Sequence, residues 1–289
     1  MVSVRSSNRA KVAGRCATYW TNETKNMYKL SLSLKEDIKP IIGFNKSEKE
    51  IINNSINSMI RNKKLEWAFI FLDKNFSILF SETDQLFNKL SLAKVNTWEE
   101  LESATLEINR NLLNYLATQN TYLDHTEKYL KNIFGEDSTK FKEYKKLQGS
   151  FFDNNFSYRF FYNLRNYSVH YGYSICGIKI QKNEDTINYI PIFLLNDLLL
   201  YKNWHSAIKN DLKHLKDDFS AFNLIKDSFQ CFAELNKYIS NILLESNNQN
   251  KENVLNLLNI EKEKINNYCF LLDYGNEIKT SEIPTHYLI

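Results

Sequence analysis

The chain has 289 residues, 43% apolar and 25% charged, which is enough to bury a core without disulfides and too ordinary a balance for wholesale disorder. Only seven glycines and three prolines are present, which argues against a many-stranded barrel or sandwich, leaves little material for a glycine-rich phosphate loop, and favours helices. The net charge of +3 does not by itself mark a nucleic-acid binder. Aromatic residues reach 14%, so large rings must fill a core or an interface. Cys16, Cys176, Cys231 and Cys269 are scattered, with no C-x-x-C pair and no nearby histidine. That pattern suggests neither zinc nor a disulfide framework, and it reads as free thiols in a reducing cytosol.

The first residues carry Arg5, Arg9, Lys11 and Arg15 with no acid before Glu23. Residues 1–22 read as a frayed, solvated basic arm, with a transit peptide or a phosphate-binding tail as the other readings. No apolar run follows the start, so no secretory signal is expected, and no stretch reaches the ~18 uncharged apolar residues of a membrane span. A cytoplasmic protein without membrane contact is the expectation.

Leu30, Leu32 and Leu34 alternate as in a short strand, before Pro40 and Gly43. A helix is expected from about Ser47, with acids at Glu48 and Glu50 and with Ile51, Ile52, Ile56 and Ile60 at helical spacing. Residues 67–80 are apolar nearly throughout, and periodicity leaves their type open. Thr97-Trp98-Glu99-Glu100 fits a capping box, and the helix it opens stops at Gly135. A further helix is predicted over 153–171. Residues 173–194 carry two β-rich runs around a polar loop, which predicts a hairpin whose second strand is put at an edge by Pro191. Helices are predicted over 196–215 and 219–244, then a loop over 246–250, another helix around Val254 to Ile265, and a returning strand in the tail. With no internal repeat and no clean linker, residues 23–289 read as one domain: mainly α, a helical bundle with a small β-hairpin insertion and a C-terminal strand.

Several familiar sites are absent from the sequence: no G-x-x-x-x-G-K-[ST], no G-x-G-x-x-G after a strand, no H-E-x-x-H and no G-x-S-x-G. No metal set and no cofactor is expected. His125, His205, His214 and His286 read as solvated or structural groups. The segment Phe151 to Tyr173, FFDNNFSYRFFYNLRNYSVHYGY, is different. On a helix, Phe152, Phe156, Phe160, Leu164 and Tyr167 form a core stripe, and Arg159, Asn163, Asn166 and His170 share another face. Such a polar face on so aromatic a helix is either a satisfied hydrogen-bond network at a helix interface or a site.

Arg165-Asn166-Tyr167-Ser168-Val169-His170 resembles the R-x(4–6)-H signature of HEPN-domain ribonucleases, in which the residue after the arginine is usually polar and often Asn. The wider run, Tyr158-Arg159-Phe160 through Leu164-Arg165-Asn166-Tyr167 to His170 and Gly172, is similar to one group of bacterial HEPN proteins. The resemblance covers about twenty residues. It implies a HEPN-like helical bundle that forms a homodimer, with motif helices meeting across a two-fold axis to build a metal-independent RNase site.

The residue types suit that chemistry. The 2′-hydroxyl of RNA can attack the adjacent phosphorus, and an imidazole, with an ordinary pKa of ~6.5, can move the proton near neutral pH. A guanidinium stays charged and can bind a phosphate through two parallel hydrogen bonds. The resemblance therefore implies His170 as acid/base and Arg165 as phosphate and transition-state stabiliser, with Asn166 orienting His170 from the same face. Residues 165 and 170 lie about 140° apart on an ideal helix, so Arg165 must reach around, the last turn must loosen, or two chains must mix their residues. Arg159 is closer in angle to His170. It is a rival phosphate contact, or an ion pair whose partner must come from elsewhere in the fold.

Lys142, Lys145 and Lys146, with Lys140, could hold RNA, as could Arg61, Lys63 and Lys64. Phe141, Tyr144 and Trp67 are interleaved with them and could stack on bases. Both clusters read equally as solvated faces. By family analogy the protein is an endoribonuclease acting as a toxin or an anti-phage effector, with an antitoxin as partner. The other readings are a non-catalytic HEPN-like module that binds RNA or nucleotide or only dimerises, and an unrelated helical interaction protein.

Overall fold

The protein is described by a computed structural model over residues 28–34, 37–44, 46–93, 97–183, 187–258, 269–272 and 281–283. The basic arm 1–22 and the end of the helix predicted around Val254 to Ile265 lie outside these residues. Among the described residues the protein is mainly helical, with seven helices and a small three-stranded antiparallel sheet inserted among them. Read from its sequence as one domain, the chain divides by its internal contacts into two compact units, Met1–Lys63 with Leu243–Ile289, and Lys64–Ile242.

The first unit holds a four-stranded antiparallel sheet of order β2-β1-β6-β7, built from β1 (Tyr28–Leu34), β2 (Asp37–Phe44), β6 (Cys269–Leu272) and β7 (Ser281–Ile283). Pro40 sits on the edge strand β2, where the register shifts opposite Leu30 and Ser31. An edge and a bulge are the two places that tolerate a residue without a backbone N–H. The alternation of Leu30, Leu32 and Leu34 is thus a strand, and the tail does return as strands beside it.

The same unit contains the first turns of α1 (Lys46–Leu92) and the end of α7 (Ala221–Leu258). The loop predicted over 246–250 is helical instead. Asn247 and Asn250 bond side chains rather than breaking the backbone: Asn247 accepts from Asn62 at 2.5 Å, and Asn250 donates to Ser58 at 3.1 Å and to Ser246 at 3.3 Å. Inter-helix amide bonds satisfy residues whose composition alone reads as turn-forming.

In the second unit, the 67–80 run is helical within α1. Phe76 stacks on Phe229 of α7 with ring centroids 3.9 Å apart and planes 11° apart. Helix α2 (Trp98–Phe134) begins at the capping box: the Glu100 amide donates to the Thr97 hydroxyl at 3.3 Å and the Thr97 amide donates to Glu100 at 2.9 Å. It ends at Gly135, whose φ of 84° is open to glycine at little cost.

The helix predicted over 153–171 is present from Phe156 to His170, and the residues just before it end another helix. α3 (Thr139–Asn154) and α4 (Phe156–His170) meet at Asn155, an extended residue that caps both. Its amide donates to the Phe151 carbonyl at 2.9 Å, and its side chain accepts from the Tyr158 amide at 2.8 Å. Asn competes well for such cap positions, so one residue suffices to turn the chain.

The predicted hairpin is present as β3 (Gly177–Lys182) and β4 (Ile187–Phe193) in antiparallel register. Pro191 does not make β4 an edge strand, because β5 (Phe219–Ser220) pairs on its other side. β5 reaches only Ile192 and Phe193, so Pro191 stays outside that pairing. β5 also takes the two residues with which the predicted 219–244 helix would have begun, and α7 starts at Ala221. The 196–215 helix is broken into α5 (Leu195–Leu200) and α6 (Ser206–His214). Between them Tyr201 and Trp204 are buried, and Trp204 lies between rings of α4, 5.4 Å from Tyr167 and 5.7 Å from Phe160. Its indole N–H donates to the Leu198 carbonyl at 2.7 Å. Packing that indole outweighs the roughly one and a half turns of helix it interrupts.

Candidate functional site

Helix α4 carries the motif residues, and its sequence shows why it is held firmly. Phe160, Leu164 and Tyr167 are buried as the stripe requires, while Phe152 and Phe156 are only half-buried. Tyr158 and Phe161 form a second buried row, so α4 is covered on two sides. What stays exposed is a narrow face along which Tyr162 is 41% and Val169 52% accessible. Ideal helical geometry places Tyr162, Val169 and Asn166 in the middle of that face, Arg165 at one margin and His170 at the other, about 140° apart in all.

The arginine near the start of the helix is committed to the protein. Arg159 makes a two-pronged contact with Asp211 of α6, Nε to Oδ2 at 2.6 Å and Nη2 to Oδ1 at 3.0 Å. Its Nη1 donates to the carbonyls of Phe152 at 2.9 Å and Asp153 at 3.1 Å. The two side chains are only 13% and 22% exposed. Asp211 is the ion-pair partner that had to come from elsewhere in the fold. Its hydrogen bonds, with its charge, hold the Arg159 pKa above the ordinary value, so the guanidinium stays charged. Asn163 donates to the Arg159 carbonyl at 3.0 Å.

The residues near the end of the helix differ. Arg165 is half-buried and Asn166 and His170 are exposed. Among the described residues none of the three side chains makes a hydrogen bond or an ion pair. His170 is the last helical residue, and the amides of Tyr171 and Gly172 both donate to the Tyr167 carbonyl, at 2.9 and 3.2 Å. The helix stays regular from 165 to 170, so no loosened turn brings Arg165 and His170 together within one chain. Asn166 and His170, four residues apart, do share a face.

The basic cluster on α3 is partly paired. Lys145 bonds Glu127 at 2.9 Å and Gln148 at 3.0 Å, Lys142 lies 3.4 Å from Asp137, and Lys146 is exposed. The interleaved rings are not available for stacking on bases: Phe141 is 8% and Tyr144 0% exposed, both facing the core. Helical periodicity puts these two rings, three residues apart, on the inward side while the lysines face out. Trp67, at 48%, keeps an exposed ring.

A cavity of about 620 Å³ beside the end of α4 was not apparent from the sequence. Its walls come from the start of α2, the 167–178 segment, the hairpin and α5. Asn109 of α2, 4% exposed, anchors that segment by donating to the Ile175 carbonyl at 2.7 Å and accepting from its amide at 3.0 Å. Ser168 and Ser174 share a hydrogen bond of 2.5 Å across the turn. Residues from four separate stretches line the cavity, and no local spacing announces such a set.

Among the described residues no group of three or more His, Cys, Asp or Glu side chains is placed to hold a metal ion, and no helix is long and apolar enough to cross a membrane. Compared with protein-family models, curated proteins and solved structures, the chain matches none.

Proposed function

We propose that the protein is a HEPN-type, metal-independent endoribonuclease, with RNA as substrate and a homodimer as the working form. The observation that supports this most is the contrast along α4: Arg165, Asn166 and His170 have no partner among the described residues, while Arg159 on the same helix is fully engaged. A guanidinium and an imidazole at the two margins of an exposed face are free to meet a phosphate and a 2′-hydroxyl.

In this reading His170 takes the proton of the 2′-hydroxyl as its oxygen attacks phosphorus. The P–O2′ bond forms, the P–O5′ bond breaks, and the 5′-oxygen leaves with a proton returned by an imidazolium. The products are a 2′,3′-cyclic phosphate and a 5′-hydroxyl. Arg165 binds the phosphate oxygens as charge builds on them, and Asn166 orients His170. The 140° separation supports a dimer. A second copy packed through the Tyr162–Val169 face with its helix parallel sets the Arg165 margin of one protomer beside the His170 margin of the other. Lys146 and the paired Lys142 and Lys145 would be outer contacts to RNA. A toxin or anti-phage role with a neutralising partner, in the cytoplasm, fits such an activity.

The test is cleavage of RNA in EDTA by wild type, His170→Ala, Arg165→Ala and Arg159→Ala, with product ends identified and folding checked by circular dichroism. The expected outcome is a 2′,3′-cyclic phosphate product, a loss of about 10²-fold or more for His170→Ala and Arg165→Ala, and no cutting of 2′-O-methyl RNA. Cleavage of the 2′-O-methyl substrate, or full activity in folded His170→Ala, overturns the assignment. RNA binding without cleavage by wild type assigns the non-catalytic module.

A further inference from the structure

The cavity beside α4 has a chemistry of its own. Neither Arg165 nor His170 lines it. Its aromatic surface is unusually bare: Trp98 is 76%, Tyr171 52% and Tyr173 61% exposed. Beneath them Tyr167 and the hairpin residues Ile178 and Ile192 supply an apolar floor. Among the described residues two carboxylates line it, Glu102 of α2 and Asp197 of α5, and no Lys, Arg or His does. Neither carboxylate forms an ion pair among the described residues.

The Cys176 thiol and the Tyr167 phenol in the lining add no charge. Burial, with Asp197 among the further causes, pushes the Cys176 thiol up to about 11 and the Tyr167 phenol up to about 12. At neutral pH both are protonated, so the cavity presents two negative charges to whatever enters. An anion, a phosphate included, is repelled there. An aromatic face attracts a cation through its quadrupole, and the gain is largest when the cation is desolvated. The volume lies within the range of small-molecule sites, about 300–1,000 Å³. The wall is also preformed, since Asn109 bonds both the amide and the carbonyl of Ile175.

We propose that this cavity binds a small organic cation with an apolar body, its ammonium-type head near Asp197 and Glu102 and its body against the rings of Trp98, Tyr171 and Tyr173. Its volume, within the range of small-molecule sites, favours a free small molecule over the tip of a lysine from another protein. The proposal does not depend on RNA cleavage.

The test is an NMR titration of the full chain with benzyltrimethylammonium, its neutral isostere neopentylbenzene and the anion phenylmethanesulfonate. The cation is expected to bind about tenfold tighter than the neutral isostere, and the anion not at all. Asp197→Asn and Glu102→Gln should each weaken the cation about threefold or more while leaving the neutral probe unchanged. Glu102 is exposed, so its variant keeps the test decisive if the other folds poorly. Equal binding of cation and neutral isostere, unchanged cation affinity in a folded Glu102→Gln variant, or no cation binding at millimolar concentration overturns the proposal.

Discussion

The two ends of α4 carry the same residue type in opposite circumstances. Arg159 sits beside a carboxylate 52 residues away in sequence, with two carbonyls completing its fork. Arg165, six residues on, touches no charged or polar partner among the described residues. Both are arginines on one amphipathic helix, and neither composition nor helical phase separates them. What separates them is α6, which arrives at one end only. A charged side chain on a helix is structural when the tertiary fold supplies a counter-charge and available when it does not.

The largest effect should come from disturbing the engaged end. Arg159→Ala leaves the partly buried Asp211 carboxylate unpaired and the Phe152 and Asp153 carbonyls without their donor. The expected loss is about 2–4 kcal/mol in urea unfolding. Asp211→Ala should cost a similar amount, and the double variant should show a coupling of about 1–3 kcal/mol. Additivity of the two single changes would break the comparison.

A smaller effect is expected at the anchor that holds the chain just beyond the free end. Asn109→Ala removes both bonds to Ile175 inside a site 4% exposed, and about 1–3 kcal/mol should be lost. Hydrogen exchange sharpens the point: the Ile175 amide should exchange faster in this variant, while amides in the first turns of α4 keep their protection. Equal loosening at both ends of α4 would show that the helix responds as one piece.

These contacts mark what sequence reasoning could reach. The capping box at Thr97 and the stop at Gly135 are local signals, and the helix between them forms where they place it. The hairpin follows from period-two patterning and turn residues alone. Asn155 is also a local signal, but it is one of three adjacent polar residues, Asp153 to Asn155, each of a type that can cap a helix. The break around Tyr201 to Trp204 had no local mark, because it exists to bury an indole between Phe160 and Tyr167. For the candidate site, the resemblance to the HEPN signature implied Arg165, Asn166 and His170, whereas helical spacing alone grouped Arg159 with His170. The Asp211 pairing and the cavity were not legible, since each depends on stretches brought together only by the fold.

The smallest stability effect belongs to the free end, and it is the most informative. Arg165→Ala, Asn166→Ala and His170→Ala each remove a side chain with no partner among the described residues. Surface changes of this kind stay within about 0.5 kcal/mol, and alanine is a good helix former, so a slight gain in thermal midpoint is as acceptable as a slight loss. The three should therefore unfold with wild type in urea while Arg159→Ala does not. If Arg165→Ala alone costs 2 kcal/mol or more, its guanidinium has a partner in the folded protein, and the two ends of α4 are alike. If the cost depends on protein concentration, that partner is a second copy of the chain, because a contact between subunits contributes in proportion to the dimer present.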